Sequence, residues 1–413
     1  MPGSDIEVAV IGGGAAGVAA GHRLIEKSIE CLIVEARPRL GGRAWTMTDP
    51  SGFALDLGCG WLHSADRNPW APIAQAQGRE IDRSPPPWGR RSIAVGFPLE
   101  EQRDFNIAME AFHERVEAAA TGKADVPASS LLEPGNRWNA MINSVGTYIS
   151  GMDLERISVR DLANYADSEV NWRVVEGYGT TIAAYGANVP AMLDCPVLRI
   201  DHSGPRLKIE TAKGVVTADQ VIVTLPTNVL AEKEGFFTPA LPKKTEAAAG
   251  LPLGHDDKLF LSLEGAEEFE KDSRLFGRTD RRGTGAYHIR PFGRPMVEAF
   301  YGGALAVELE AGGKAAFFDF AVSEFVGLFG ADFARRLKFI AVHPWGTDPF
   351  ARGAYSCALP GKADCRAVLA ATVDDRLFFA GEACSKNDYS TAHGGYLTGV
   401  AAADGVIAVR KGR

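Results

Sequence analysis

Residues 8–17 read Val-Ala-Val-Ile-Gly-Gly-Gly-Ala-Ala-Gly. An apolar, β-branched run that breaks into three glycines and passes straight into a helical pattern reads as strand, tight turn and helix start. That unit holds a dinucleotide pyrophosphate on the helix N-terminus. Gly12 permits the turn. Gly14 leaves room for backbone N–H groups to reach a phosphate, with Ala16 in the first turn beyond it, and Gly17 lets the helix pack close to the strand. A second strand, Cys31-Leu32-Ile33-Val34, follows the helix and ends at Glu35. A carboxylate there binds the adenosine ribose hydroxyls and repels a 2′-phosphate, which argues against NADP.

The 413 residues allow two domains or one large α/β domain with insertions. A net charge of −8 gives no electrostatic case for nucleic acid or an anionic membrane surface. No window reaches the apolar length a membrane span needs. The first strand begins by about residue 6, which leaves no space for a secretion signal before it. The six cysteines show no CxxC pair and no metal-ligand spacing, so the expectation is a cytoplasmic protein with reduced thiols and no metal.

Further along, Arg37-Pro38-Arg39-Leu40-Gly41-Gly42-Arg43 and Asp56-Leu57-Gly58-Cys59-Gly60-Trp61-Leu62-His63 are glycine-punctuated loops. Ser84-Pro85-Pro86-Pro87-Trp88-Gly89 breaks regular structure and marks an exit from the first domain. Apolar spacing predicts helices over 99–120, over 158–168 with Ser158 as N-cap, and over 181–194. Strands are expected at 197–202, 207–211, 215–217 and 221–225, with Pro226 stopping the last. Residues 258–263 and 296–301 read as strands, and 304–312 and 315–329 as helices. A buried strand at 376–380 and a helix over 394–411 close the chain. The fold class is therefore α/β: a discontinuous Rossmann-type domain from 1–84, 195–245 and 344–413. A mixed α+β substrate-binding domain, from 85–194 and 246–343, is inserted into it.

The ordered series of motifs resembles the flavin-containing amine oxidase family, which includes monoamine and polyamine oxidases. It comprises the glycine turn with Glu35, residues 39–43 and 56–63, and Val221-Ile222-Val223-Thr224-Leu225-Pro226 with Lys258. Trp345-Gly346-Thr347-Asp348-Pro349-Phe350, Gly353-Ala354-Tyr355-Ser356, Phe379-Ala380-Gly381-Glu382 and His393-Gly394-Gly395-Tyr396-Leu397-Thr398-Gly399 complete it. The resemblance implies FAD, contacted by Gly12, Gly14, Ala16, Gly17, Glu35, Ala36, Arg37, Gly42, Arg43, Gly58, Trp61, Val197, Thr224, Trp345, Gly381, Glu382, Gly395, Tyr396 and Leu397. It sets Arg43 against the pyrophosphate or flavin edge and gives the ribityl hydroxyls Glu382 as acceptor. The terminal helix then points its N-terminus at the flavin pyrimidine. It implies that Lys258 holds a water beside flavin N5, and that Tyr355 and Tyr396 flank the substrate amine.

Two departures from the family matter. Covalent monoamine oxidases carry cysteine directly before the first cage tyrosine. Here that residue is Ala354, and Cys357, three residues on, is expected to face another way, so the flavin is expected to be non-covalent. Amino-acid oxidases carry an arginine after the Leu-Gly motif, where this chain has Gly60-Trp61-Leu62-His63. A simple amine fits better, with His63 as either a substrate contact or a structural hydrogen-bonding group. The activity implied is oxidation of a primary or secondary amine by hydride transfer to flavin N5. Hydrolysis of the imine then gives an aldehyde or ketone. Oxygen, reduced to hydrogen peroxide, or another electron acceptor reoxidises the flavin. The competing readings are a C–C desaturase related to protoporphyrinogen oxidases, and a non-catalytic binding protein on the same fold. The sequence leaves a homodimer open.

Overall fold

Val8 to Ile11 are shut off from solvent, as a central parallel strand must be when other elements cover both faces of its sheet. The computed structural model describes residues 5–412. Strand Asp5–Ile11 pairs in parallel with Cys31–Val34 on one side and with the long strand Gly214–Val223 on the other. Leu377–Phe379 joins the end of Gly214–Val223 in parallel, so the last quarter of the chain completes the sheet begun at the N-terminus. Leu207–Thr211 and Val197–Asp201 extend it as an antiparallel meander. The strands expected at 215–217 and 221–225 are one strand.

Helices Ala15–Glu26 and Ala392–Lys411 pack together on one face of this sheet. A Cβ at Gly399 would lie 2.2 Å from the Ala16 carbonyl oxygen, so the glycine permits this approach. The sheet differs from expectation at one edge. Ala191–Met192 pairs with Cys31–Val34, and the helix before it, Tyr178–Gly186, packs on Ala15–Glu26. Residues 178–192 therefore belong with the first sheet, not with the inserted domain, because their apolar side chains fill its core.

The second sheet is antiparallel, in the order Ser273–Phe276, Ala286–Ile289, Met296–Gly302, Asp256–Leu263, Leu337–Val342. Side chains alternate across it. Leu259, Leu261, Leu275, Tyr287 and Ala299 pack on helix Gly303–Phe329. Gly313, at φ +73, kinks that helix between the two segments read from sequence. Lys258, Arg274, Ala286, His288 and Phe300 come from the opposite face and border the main cavity. Helix Leu99–Ala120 matches its expected span. The helix capped by Ser158 ends at Asn164, and Ser158 accepts from Asp161 N as an N-cap should. Among the described residues no helix is long and apolar enough to cross a membrane.

Candidate active site

A single cavity of about 1440 Å³ runs from the glycine turn to the exposed face of the second sheet. That exceeds the roughly 300–1,000 Å³ of a pocket for one small molecule, so it has room for a dinucleotide and a second compound.

At its first end Gly12 adopts φ +103, and a Cβ on Gly17 would fall 1.9 Å from the Gly12 carbonyl oxygen. Gly17 therefore borders the turn, not the cavity. Nothing lies nearer than 3.9 Å to a Cβ on Gly14, which leaves the approach open. Helix Ala15–Glu26 has no side-chain cap, so its first N–H groups stay free for an anion. Glu35 is fixed at the rim: its carboxylate accepts Gly13 N at 2.6 Å and Arg37 N at 2.8 Å. Arg37 in turn grips Asp348 at 2.6 and 2.8 Å. Burial works against the Asp348 charge, but His343 and Arg37 overcome it and hold the carboxyl well below its usual range. Gly12, Gly14, Ala16, Ala36, Gly42, Gly58, Val197, Thr224, Gly381 and Gly395 all border this half of the cavity. These features fit a dinucleotide.

The middle is built around Glu382. It pairs with Arg43 at 3.0 Å and accepts from Ser356 N, Ser356 Oγ and Ser390 N. Burial opposes its charge, yet Arg43 and Ser356 keep its pKa below the usual value. With its oxygens so occupied, Glu382 orients Arg43; it is not a free acceptor for ribityl hydroxyls. Trp345 is buried beside them and donates Nε1–H to the Leu57 carbonyl oxygen.

At the far end Lys258 faces the cavity, 3.0 Å from Glu298 and 3.2 Å from the Asp56 carbonyl oxygen. Burial disfavours its charge, but Glu298 and Asp56 raise its pKa above the ordinary lysine value. A Cβ on Gly60 would sit 3.0 Å from Lys258 Nζ, the flexible end of that side chain. Tyr355 borders the same space, its hydroxyl donating to the Tyr148 carbonyl oxygen at 2.7 Å. Trp61 packs edge-on against Trp88 at 4.4 Å, and Tyr148, Tyr165 and Phe300 add to this aromatic wall. His63 both borders the cavity and donates to Asn171 at 2.6 Å, and burial lowers its pKa.

Four further expectations are corrected. Tyr396 does not reach the cavity: one residue past Gly395 it has turned about a quarter-circle around the helix. Its ring packs on Trp70 at 5.1 Å and Tyr185 at 6.1 Å. Leu397 is exposed on the next side. Gly17 serves packing, as above. Cys357 does border the cavity alongside Ala354 and Tyr355, because the chain there is irregular rather than a strand. Burial pushes its thiol up to about 12.

Sequence reading missed Asp256, which borders the cavity two residues before Lys258 on the same strand face. Burial lifts its carboxyl to about 8, and Oδ1 has no hydrogen-bond partner. The alternation of a strand would have found it. Tyr148, Trp88 and Arg274 come from distant segments and left no local signal.

The sequence matches the family described as flavin containing amine oxidoreductase over residues 97–407, and a NAD(P)-binding Rossmann-like domain over residues 10–75. The chain belongs to the flavin-containing amine oxidoreductases. Its relatives include polyamine oxidase 4 of Oryza sativa subsp. japonica, 29% identical over 97% of this chain and 88% of that one. Polyamine oxidase 2 of Arabidopsis thaliana is 28% identical over 96% and 87%. Lysine-specific histone demethylase 1 homolog 2 of Oryza sativa subsp. japonica is 26% identical over 98% of this chain and 57% of its own. This flavin-containing amine oxidoreductase is accordingly an enzyme with a flavin cofactor.

Proposed function

We propose that the enzyme binds FAD non-covalently and oxidises a small primary or secondary amine to an imine, which water hydrolyses to an aldehyde or ketone. When bound, the flavin supplies the two-electron acceptor, and oxygen or another acceptor takes those electrons on. The observation that carries this reading is the unbroken cavity from Gly14 and Glu35 to Lys258 and Tyr355. Glu35 suits the ribose hydroxyls, and the uncapped helix N-terminus suits the pyrophosphate. Arg43, held by Glu382, suits the flavin edge. Lys258, anchored by Glu298, can fix a water at the reacting end.

Tyr355 and Trp61 supply flat apolar walls that orient a slender amine and exclude bulk water. The reacting nitrogen must be neutral, since an ammonium has no lone pair to help expel hydride. Asp256, kept near a pKa of 8, is placed to take that proton. The thiols of Cys59 and Cys357, both pushed up to about 12, offer no thiolate for a flavin linkage. Acid precipitation should therefore release the flavin to the supernatant.

The test is anaerobic mixing with monoamines, polyamines and amino acids while the flavin absorption band is followed. Bleaching by an amine supports the proposal. A yellow protein that no amine bleaches supports the C–C oxidoreductase reading, and a protein that takes up no flavin returns it to a binding role.

A further inference from the structure

Four arginines border the cavity: Arg37, Arg43, Arg274 and Arg352. Three have a carboxylate partner within 3.0 Å: Asp348 for Arg37, Glu382 for Arg43 and Glu232 for Arg352. Arg274 has no such partner, and its side chain donates no hydrogen bond among the described residues. Its guanidinium lies 4.1 Å from the centre of the Phe276 ring, which fixes its plane.

The surrounding groups are committed elsewhere. His288, opposite Arg274 in the strand register, contacts Asp272 at 3.0 Å and Glu298 at 3.6 Å. The Tyr148 hydroxyl donates to the Thr284 carbonyl oxygen. Glu117 and Asp167 border the cavity but make no ion pair with Arg274. Burial pushes the Arg274 pKa down to about 10, which leaves it charged at neutral pH. A half-buried cation that faces the cavity without a counter-ion is open to an anion, and its fork of N–H donors is shaped to take a carboxylate in two hydrogen bonds.

We propose that Arg274 binds a carboxylate of the substrate, so that the amine oxidised here bears a carboxylate far along the chain from its nitrogen. This rests on the amine-oxidation reading above. Position sets the spacing. Arg274 and Lys258 share one sheet face, and Ala286–Ile289 and Met296–Gly302 run between their strands. Three strand spacings of about 4.8 Å, with a two-residue offset along the strands, separate their Cα positions by about 16 Å. An α-amino acid is too short to address both ends, in keeping with the absence of an arginine from Gly60 to His63. An ω-amino carboxylate spans them. A polyamine of similar length would bring a second ammonium to Arg274 and be repelled.

Two arms test this on the flavin-loaded enzyme. In the first, 6-aminohexanoate, hexylamine and spermidine are compared by their half-saturating concentrations for anaerobic flavin reduction. Wild type should favour 6-aminohexanoate over hexylamine by about tenfold or more. Arg274→Met should erase that preference, and Arg274→Lys should restore part of it. In the second, binding of hexanoate, which cannot be oxidised, is measured by calorimetry; it should be lost in Arg274→Met and partly kept in Arg274→Lys. A wild-type preference for spermidine, or hexanoate binding that survives Arg274→Met, overturns the proposal. If no amine reduces the flavin while hexanoate binding still requires Arg274, the amine-oxidation reading fails and the carboxylate site stands. If Arg274→Met does not fold, the wild-type ratio and the Arg274→Lys variant decide.

Discussion

Lys258 Nζ lies 3.0 Å from Glu298 Oε1, each side chain no more than 10% exposed, on neighbouring antiparallel strands at the inner end of the cavity. The pair holds a cation where the amine would react. Such a pair is weak evidence for stability as a whole, but removing one partner strands the other charge. Glu298→Gln should therefore destabilise the fold by about 3 kcal/mol. Adding Lys258→Met should recover much of that loss. Urea unfolding of both single variants and the double variant gives the coupling; additive losses would mean the two groups are independent.

The same pair sets an acid limit. Burial raises the Glu298 pKa, but Lys258 and His288 more than reverse this and hold it at about 2, against an ordinary 4.5. The folded value is below the unfolded one, so the group stabilises the protein above pH 4.5. That contribution is lost as pH falls from 4.5 towards 2. Asp272 and Asp348 are depressed as well, so the total acid slope belongs to several groups. The readout is a difference: the melting-temperature gap between wild type and Glu298→Gln should shrink across this window. A constant gap from pH 6 to pH 3 would contradict the assignment.

Asp256 runs the opposite way. Its folded pKa of about 8 lies above the ordinary 3.8, so the unfolded chain ionises first. Stability from this group is lost as pH rises from about 4 to 8, and the penalty is full above that. Asp256→Asn should raise the melting temperature more at pH 9 than at pH 5. It should also slow flavin reduction by an amine, if Asp256 takes the substrate proton. Thermal melts at the two pH values, with stopped-flow reduction alongside, separate the structural effect from the chemical one.

Two glycines distinguish a needed absence of side chain from an incidental one. Gly17→Ala would force a methyl to 1.9 Å from the Gly12 carbonyl oxygen, and backbone atoms must move. That variant should purify with little or no flavin. Gly327 lies within helix Gly303–Phe329, and nothing stands within 4 Å of its would-be Cβ. Gly327→Ala should stabilise the protein by about 0.5–1 kcal/mol and leave flavin content unchanged. Flavin-to-protein absorbance ratios and thermal melts decide both.

The dinucleotide end was legible because its residues are local. The glycine turn and Glu35 fall within one βαβ unit, so spacing alone placed them at one end of the cavity. The far end was less so. Lys258 came from resemblance, while Asp256 needed only the alternation of its own strand. Arg274, Tyr148 and Trp88 meet there through the pairing of distant segments, which no local pattern encodes. Residues 178–192 were misplaced because a two-residue edge strand carries almost no periodic signal. Tyr396 was misread because a family motif gives position along a helix but not which side chain the helix phase turns inward.

Tyr355 borders the cavity with its hydroxyl tied to Tyr148, whereas Tyr396 packs among Trp70 and Tyr185 behind the helix that borders it. Tyr355→Ala should lower kcat/KM for the best amine by about tenfold or more, because a flat wall beside the reacting carbon is lost. Tyr396→Ala should instead cost about 1–2 kcal/mol of stability by removing a half-buried ring from the edge of the core. Tyr396→Phe keeps the ring and should change kcat/KM by no more than about twofold. Steady-state kinetics on the three variants, with melts to separate folding from function, test the helix phase. Equal losses in Tyr355→Ala and Tyr396→Phe would put both rings at the substrate and restore the paired cage.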